Sequence, residues 1–557
     1  MQTDETFKAF EERVNKFVTA SLDGYKPERH AKEKSIRDAI WGTNRVYSWE
    51  VAILDSPLLQ RLRDIRQTGL AYLVYPTALH SRFDHTLGVL AVASKIVRSI
   101  NDKYPQYRDP RISYADHMRV RLSAILHDVG HSCFSHTSET IYAASEEFKV
   151  LTKYVNDQFK VPPKPHEIMS WLIVRSQRFK EFIKELTQKE LLPDWVCSLD
   201  DVDIIAGNII GFRKNPKDKF LADIINGPMD ADKLDYLVRD AYFAGPTVVY
   251  DLERFLYTVD AIEYPLSAER IIVRLSIPIE GVTALEQIII SKLMLFSYLY
   301  HHHKIRCVEG MFHEALKRLI EVSSSNRKGK RFPLLDHPTS FLQFSDKSFF
   351  PRAWPPEIEG DKVAGEILRM LTRRELYKRA LVISRLFIDN IYTDEPVRLG
   401  FDKLLWCAKD LATRDKLRQQ IFEKAKKKMS SRPYKDQTHE LRKKFQPRHI
   451  LVDIPVSPTV EEVVGVMVPL TRDLSRSTPQ YVPLSEIFPI EKWVDAYNAI
   501  KWRGHIFALE EAVPFVNAAA LEILAVEPYL LKFTNQAKIL CKITTPIPPD
   551  LSLIPMS

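Results

Sequence analysis

His127 and Asp128 stand side by side at the end of an apolar run, LSAIL, within LSAILHDVGHSCFSH. A further histidine, His85, lies upstream in HSRFDHTLGV, and an aspartate, Asp232, lies downstream in MDADKLDYLVRD. Two imidazoles and two carboxylates form a mixed nitrogen and oxygen donor set suited to Mn2+, Fe, Zn2+ or Mg2+. Such a set leaves coordination positions for water and substrate oxygens. The want of clustered cysteines excludes zinc-finger chemistry. His85, His127, His131, His136 and His166 fall within one stretch of 82 residues. Imidazoles at the end of an apolar helix have to be hydrogen-bonded or metal-bound, since an unsatisfied buried polar group costs about 1–3 kcal/mol. Helical spacing carries His131 onto the face of His127 one turn later, with Gly130 leaving room beside it. His136 and Glu139 stand three apart, so a carboxylate can orient an imidazole, and His166 opens another helix after Pro165. A divalent metal with several further histidines suits hydrolysis of a phosphate ester, in which the imidazoles bind phosphate or shuttle protons.

Helices must position these groups. PLLQRLRDIRQTG, RFDHTLGVLAVASKIVRSI, RVRLSAILHDVG, HEIMSWLIVRSQRFKEFIKEL and the long run from ALEQIIISK to EALKRLIEV all place apolar residues at three- and four-residue intervals. Asp55-Ser56-Pro57 predicts a capped helix start with a first-turn proline. Ser81-Arg82-Phe83-Asp84 predicts a capping box that puts His85 in the next turn. Strand-like runs are few: AYLVYP (71–76), RIIVRLSI (270–277), HILVDIPV (449–456) and VVGVMVPL (463–470). The last two, with KWRGHIFAL, predict a small α+β lobe. SNRKGKRF (325–332) and SSRPYKDQ (430–437) read as exposed loops. The expected fold is mostly α, a helical core with a small C-terminal α+β lobe. Its divisions are an N-terminal helical region over 1–45, a core over 46–400, and the lobe over 401–557.

The chain has 557 residues, 45% apolar and 27% charged, with a mean hydropathy of −0.21, ordinary values for a globular protein. Its polar, acidic start, MQTDETFKAFEERVNKF, has no secretory pattern. VTALEQIIISKLMLFSYLY carries Glu286 and Lys292 and reads as a buried helix, not a membrane span. Cys133, Cys197, Cys307, Cys407 and Cys541 lie far apart, which points to a reducing cytoplasm. The net charge of +8 is concentrated: residues 411–450 hold thirteen Lys/Arg against four Asp/Glu, and the rest sums to −1. On a helix Lys424 and Lys428 share a face, a like-charge arrangement that an anion would relieve. A phosphate-bearing partner is therefore expected there, either single-stranded nucleic acid or a nucleotide held between subunits.

The ordered series DSPLLQRLRDIRQTG, HSRFDHTLGV, LHDVGHSCFSH, HE, DADKLDYLVRD and YHHHK resembles the HD-domain superfamily. Within it, the chain looks most like the dNTP triphosphohydrolases, which include sterile-alpha-motif/HD enzymes and bacterial dGTPases. The similarity covers roughly residues 46–320, and the stretch before it is too short for a sterile-alpha-motif domain. The resemblance implies His85, His127, Asp128 and Asp232 as metal ligands, and His131, His136 and His166 around the scissile phosphate. It implies substrate contacts by Gln67, Arg82, Lys233, Tyr236, Asp240 and Lys292, with Tyr300 crowding the sugar 2′ position. Asp55, Gln60 and Arg63 match an activator-nucleotide site. Lys292 stands where the mammalian member of that family carries an arginine, which keeps a cation and loses bidentate geometry. His301 to His303 replace Gln-His-Lys beside Tyr300.

The resemblance thus implies hydrolysis of deoxynucleoside triphosphates to deoxynucleoside and tripolyphosphate by a homo-oligomer, with His136, oriented by Glu139, protonating the leaving oxygen. Two other readings stand beside it, a phosphodiesterase or exonuclease on nucleic acid and a nucleotide-sensing scaffold with a vestigial site.

Overall fold

The computed structural model describes residues 2–28, 33–103, 111–193, 198–267, 270–325, 335, 337–349, 362–456, 466–470 and 480–539. The chain divides into two compact units. One comprises Met1–Leu295, Leu319–Pro355 and Val460–Phe488, the other Phe296–Arg318, Pro356–Thr459 and Pro489–Ser557. These differ from the divisions expected at residues 45 and 400 because the chain crosses between units several times.

The first unit is mainly helical. Its site-bearing elements are α1 (Gln2–Leu22), α2 (Arg82–Asp102), α3 (Tyr114–Leu126), α4 (His136–Tyr142), α5 (Pro165–Arg175), α6 (Leu199–Ile209), α7 (Ala231–Ala244) and α8 (Val282–Leu295). Central to it is α2, which packs against α3 and α7, while α6 packs against α3 and α5. Its buried residues, among them Leu87, Val89, Leu90, Val92, Ala93, Ile96, Val97 and Ile100, surround the helix, as a core helix flanked on several sides requires. The region before residue 46 is not helical throughout. After α1, β1 (Lys34–Asp38) pairs antiparallel with β2 (Gly42–Val46).

A second hairpin, β3 (Asp260–Ser267) with β4 (Arg270–Ser276), contains the strand expected at 270–277. The expected strand at 463–470 is β7 (Met467–Pro469), which pairs with β8 (Tyr481–Pro483). It belongs to this unit and not to the C-terminal lobe: Tyr264 Oη and Ser276 Oγ both donate to Met467 O, at 2.7 and 2.8 Å.

The second unit holds an antiparallel sheet of β5 (Lys378–Ile383), β6 (Ile450–Asp453) and β9 (Gly504–Ala508), ordered β5-β9-β6. GHIFA is wholly buried as the middle strand. Helices Leu411–Met429 and Val513–Leu524 pack together beside it.

Several local expectations change. Residues 71–76 form no strand, because Gly69–Leu73 is a 3-10 turn. The expected helix from Pro57 yields one α turn to Gln60 and a 3-10 turn to Asp64, and Ser56 Oγ turns back to Ile53 O without capping it. The loop 430–437 forms as expected, whereas 326–332, Cys197 and Cys541 lie outside the described residues. Ile279–Tyr300 is long and apolar enough to cross a membrane by length and composition, and 50% of that window is buried within the protein.

Candidate metal centre

The Ser81 capping box forms as expected: Ser81 Oγ accepts from Asp84 N at 3.2 Å, and Asp84 Oδ2 accepts from Ser81 N at 2.8 Å. It starts α2 so that His85 enters the core, fully buried. His85 Nε2 lies 3.0 Å from Asp232 Oδ1, 3.4 Å from His127 Nε2 and 3.7 Å from Asp128 Oδ2. The four residues expected as ligands therefore converge, from α2, the end of α3 and the first turn of α7.

The ring orientations fit a cation. His127 Nδ1 lies 2.7 Å from Ala124 O. A carbonyl only accepts, so Nδ1 carries the proton and Nε2 turns a lone pair toward the site. His85 Nδ1 likewise donates to Asp235 Oδ2 at 2.7 Å, which leaves its Nε2 as a donor atom. Burial opposes a charge on His85, yet the hydrogen bonds to Asp232 and Asp235 outweigh it and push its pKa up to about 10. The pocket thus favours positive charge, and a divalent cation meets that demand. Burial also opposes ionisation of Asp128, but the Arg82 guanidinium beside it holds its carboxyl well below the usual range. The His85 hydrogen bond does the same for half-buried Asp232, against the opposing effect of desolvation. Both carboxylates are charged, as ligands must be.

Asp235 was not among the residues expected from sequence. Its signal is the stripe Asp232, Asp235, Arg239 at three- and four-residue intervals on α7. Arg239 binds it twice, Nε to Oδ2 at 2.8 Å and Nη2 to Oδ1 at 2.9 Å, and also reaches Asp38 of β1 at 2.9 Å. Trp41 Nε1 donates to Asp235 as well. Gly88, one turn after His85, admits this group. A Cβ there would lie 1.9 Å from Asp235 Oδ1.

A second cluster adjoins the first. α3 ends at Leu126, and His127 caps it. His131 therefore arrives by a turn, not by the helical repeat expected of it. Gly130 lets that turn press on α5, where a Cβ would meet Ser170 N at 2.3 Å. His131 is fully buried, its Nε2 3.3 Å from Asp128 Oδ1 and its Nδ1 without a hydrogen-bond partner. Burial, Arg82 and His166 drive its pKa well down, so the ring is neutral. His166 stacks on it with ring centres 4.1 Å apart. Glu139 serves two imidazoles, His136 Nδ1 at 2.8 Å and His166 Nδ1 at 3.1 Å. Against burial, His166 and His136 hold Glu139 well below the usual carboxylate range. Burial lowers the pKa of His166, but Glu139 more than offsets it and the net shift is upward. His136 is the open member, its side chain 61% exposed.

The expected substrate residues are placed unevenly. Arg82 is buried and engaged, donating to Ser135 Oγ at 2.9 Å, Asp128 Oδ2 at 2.8 Å and Gln67 O at 3.3 Å. Buried Gln67 keeps Oε1 without a hydrogen-bond partner. Lys233 Nζ, expected on phosphate, is held locally by Asp230 Oδ2 at 2.7 Å and Gly227 O at 2.9 Å. Asp240 pairs with His80 at 2.8 Å. Tyr236 is half-buried on α7, and Lys292 is half-buried on α8, which packs against α7. Tyr300 belongs to the second unit, in a turn where its ring meets Phe296 at 5.2 Å. Of the expected activator residues, Gln60 Oε1 accepts from Arg63 Nε at 2.7 Å, and Asp55 meets Lys34 at 3.2 Å.

In the basic segment the expected uncompensated charge is answered internally. Glu522 pairs with Lys424 at 2.9 Å and also with Lys428, Glu511 with Lys444 at 2.9 Å, and Glu314 with Arg418 at 2.7 Å. Like charges one turn apart are tolerated because a carboxylate of helix Val513–Leu524 lies between them.

Comparison with known proteins meets this geometry. The HD domain profile matches residues 82–205, and the HD associated region matches 267–533. Uncharacterized protein MJ1154 of Methanocaldococcus jannaschii is 31% identical over 356 residues, 63% of this chain and 60% of that protein. The deoxynucleoside triphosphate triphosphohydrolase SAMHD1 homolog of Dictyostelium discoideum is 26% identical, covering 68% of this chain and 63% of its own length. Human deoxynucleoside triphosphate triphosphohydrolase SAMHD1 is 26% identical, with 62% and 54% covered. The chain thus spans between 54% and 63% of the length of these three relatives. A hypothetical protein from Aquifex aeolicus shares the fold, with a TM-score of 0.55 over 87% of this chain and 99% of that one, at 22% identity. The HD domain match begins at Arg82, the first residue of α2, and takes in His85 and the His127-Asp128 pair. Asp232, the fourth converging residue, lies between the two matched regions, and the chain belongs to the HD-domain superfamily.

Proposed function

We propose that this protein is a metal-dependent phosphohydrolase that converts a deoxynucleoside triphosphate and water to a deoxynucleoside and tripolyphosphate. The observation that carries the reading is the position of Asp128. It lies 3.5 Å from His127 Nε2 on the metal side and 3.3 Å from His131 Nε2 on the side of the second cluster. One carboxylate thereby joins a charged, cation-seeking pocket to a set of imidazoles with graded protonation. His85, His127, Asp128 and Asp232 would hold a divalent cation, which supplies Lewis acidity at a phosphoryl oxygen and a nucleophilic water. Metal analysis of the purified protein distinguishes Fe, Mn, Mg and Zn.

The neutral His131 ring, with an unpartnered nitrogen, is available to a phosphate or its proton. Glu139 favours the protonated form of His166 against burial, and preorganised charge of this kind does most of the work in phosphoryl chemistry. Burial leaves the pKa of His136 net lowered, and Glu139, which accepts from its Nδ1, works against that shift; an imidazolium formed there would present its exposed Nε2–H to the leaving 5′-oxygen. The relatives named as deoxynucleoside triphosphate triphosphohydrolases support this substrate class. The proposal extends to a homo-oligomer, to nucleotide activation near Asp55, Gln60 and Arg63, and to a reducing cytoplasm, for which the buried free Cys133, Cys307 and Cys407 are the support.

Incubation with each dNTP and with labelled single-stranded DNA, in Mn2+ and in Mg2+, tests the reading by its products. Tripolyphosphate from free dNTPs upholds it. Nucleoside monophosphates released from the strand would replace it with nuclease chemistry, and no turnover in any divalent cation would leave a nucleotide-sensing scaffold.

A further inference from the structure

We propose that Asp346 is a positioning residue for the histidine cluster. From 212 residues away in sequence it holds the Phe134–Ser135 turn in the shape that places His136 and Arg82. The turn is strained. Phe134 has φ 54°, and Ser135, the N-cap of α4, has φ 50° and ψ −125°. Two consecutive residues with side chains in this region are uncommon, and they persist only where their surroundings impose them. Both are buried, so the cause is packing and hydrogen bonding.

The interactions that impose the turn come from the short segment carrying Asp346. Its Oδ1 accepts Phe134 N–H at 2.6 Å and its Oδ2 accepts Arg66 N–H at 2.9 Å. The carboxylate, itself buried, thus ties together two loops that have no strand between them. Phe349, three residues on, sets its ring edge-on to Phe134, with centres 5.6 Å apart. From Arg66 the ties continue inward: Ser135 Oγ donates to Arg66 O at 2.6 Å and accepts from Arg82 Nε at 2.9 Å. Arg82 in turn reaches Asp128 Oδ2 at 2.8 Å. Next in the chain after Ser135 is His136. A carboxylate that touches neither the metal pocket nor any catalytic imidazole therefore fixes the backbone before one and the partner of Arg82.

For its kinetic readout the inference rests on the hydrolytic reading above. Asp346→Asn keeps the size but replaces one acceptor with an NH2 that opposes a backbone N–H. It should lower kcat about 10- to 100-fold, with KM within about threefold and bound metal unchanged. Asp346→Glu keeps the charge and both acceptors on a longer arm and reports the same split if the Asn variant fails to fold. Ser135→Gly supplies a residue at ease with φ 50°, so adding Asp346→Asn to it should cost less than Asp346→Asn costs alone. Selective isotope labelling of histidine gives a readout without turnover, in which His136 resonances should move in the Asp346 variants. Displaced His136 resonances in a protein inert toward nucleotides overturn the hydrolytic reading and keep the placement. An active wild type with unchanged kcat and unmoved His136 in folded Asp346 variants, or fully additive effects with Ser135→Gly, overturn the placement.

Discussion

Asp235 holds His85 from behind: its Oδ2 lies 2.7 Å from His85 Nδ1, while His85 Nε2 faces Asp232 at 3.0 Å. The carboxylate fixes both the tautomer and the ring plane, and it is fixed in turn by Arg239, itself tied to Asp38, and by Trp41. Outer groups of this kind fix the ligand's tautomer and orientation and so tune metal affinity. Asp235→Asn should therefore weaken binding of the divalent cation about 10- to 100-fold, measured by competition with a chelator. An affinity equal to that of the wild type would show that packing alone orients His85.

Gly88→Ala tests the same arrangement sterically. The new methyl would stand 1.9 Å from Asp235 Oδ1 and 2.4 Å from Arg239 Nη2. Neither group can withdraw, since both are buried and bound to each other. Overpacking of this kind costs about 1–3 kcal/mol, and here the displaced atom belongs to the carboxylate that steers His85. Urea unfolding should show the lower stability, and metal analysis of the folded fraction should show reduced occupancy. Full metal content at wild-type stability would mean that the groups behind His85 yield at no cost.

His136 is the exposed member of its cluster and the candidate general acid. His136→Ala should lower kcat by about two to four orders of magnitude with metal content intact. His136 groups with His131, Glu139 and His166, apart from the set His85, His127 and Asp232. A raised KM at constant kcat would make it a phosphate ligand instead.

Much of this centre was legible in the residue pattern. Ser81 to Asp84 spelled the cap that aims His85 inward, and LSAIL before His127-Asp128 spelled a buried helix delivering polar groups. What periodicity could not supply was the path after Leu126. The chain leaves the helix there, and His131 reaches its place through a turn set by the approach of Gly130 to α5 and by the strained pair Phe134–Ser135. Such geometry depends on Asp346, over two hundred residues away, which no local spacing reveals. Asp235 was readable in principle, since it repeats Asp232 and Arg239 along one face of α7. The lobe boundary was less so. VVGVMVPL has the same strand pattern as HILVDIPV, and only tertiary pairing sends Met467–Pro469 to the first unit and Ile450–Asp453 to the second.

Glu139 makes a pH prediction. Its pKa is held well below the unfolded carboxylate value of about 4.3 by His166 and His136, against the opposing effect of burial. A depressed acid contributes stability above its unfolded pKa and loses it as pH falls through the folded value. Glu139→Gln should cost about 1–3 kcal/mol at neutral pH, short of the full cost of a stranded buried ion because His166 can release its proton. The difference from wild type should shrink steadily as pH falls below about 4.3, followed by denaturant unfolding at each pH. A constant difference from about pH 7 down to about pH 3 would show that Glu139 acts through packing and not through charge.

In the basic segment, Lys424 and Lys428 demand no outside anion, since Glu522 lies between them. Lys426 and Lys427 remain exposed, the former with its ammonium 5.5 Å from the Phe422 ring centre. Lys443 and Lys444 are exposed partners of Glu440 and Glu511. Surface pairs of this type are worth about 0–1 kcal/mol, so a polyanion can displace their carboxylates at small cost. Replacing Lys426, Lys427, Lys443 and Lys444 with glutamine should weaken binding to single-stranded DNA. The log–log salt slope should also fall by up to about 0.7 for each phosphate that the variant no longer neutralises. Glu522→Gln works in the opposite direction: it frees Lys424 and Lys428 and should tighten binding. Unchanged affinity and slope in the quadruple variant, with unchanged assembly and dNTP turnover, would show that the charge of residues 411–450 is balanced within the protein and faces only solvent.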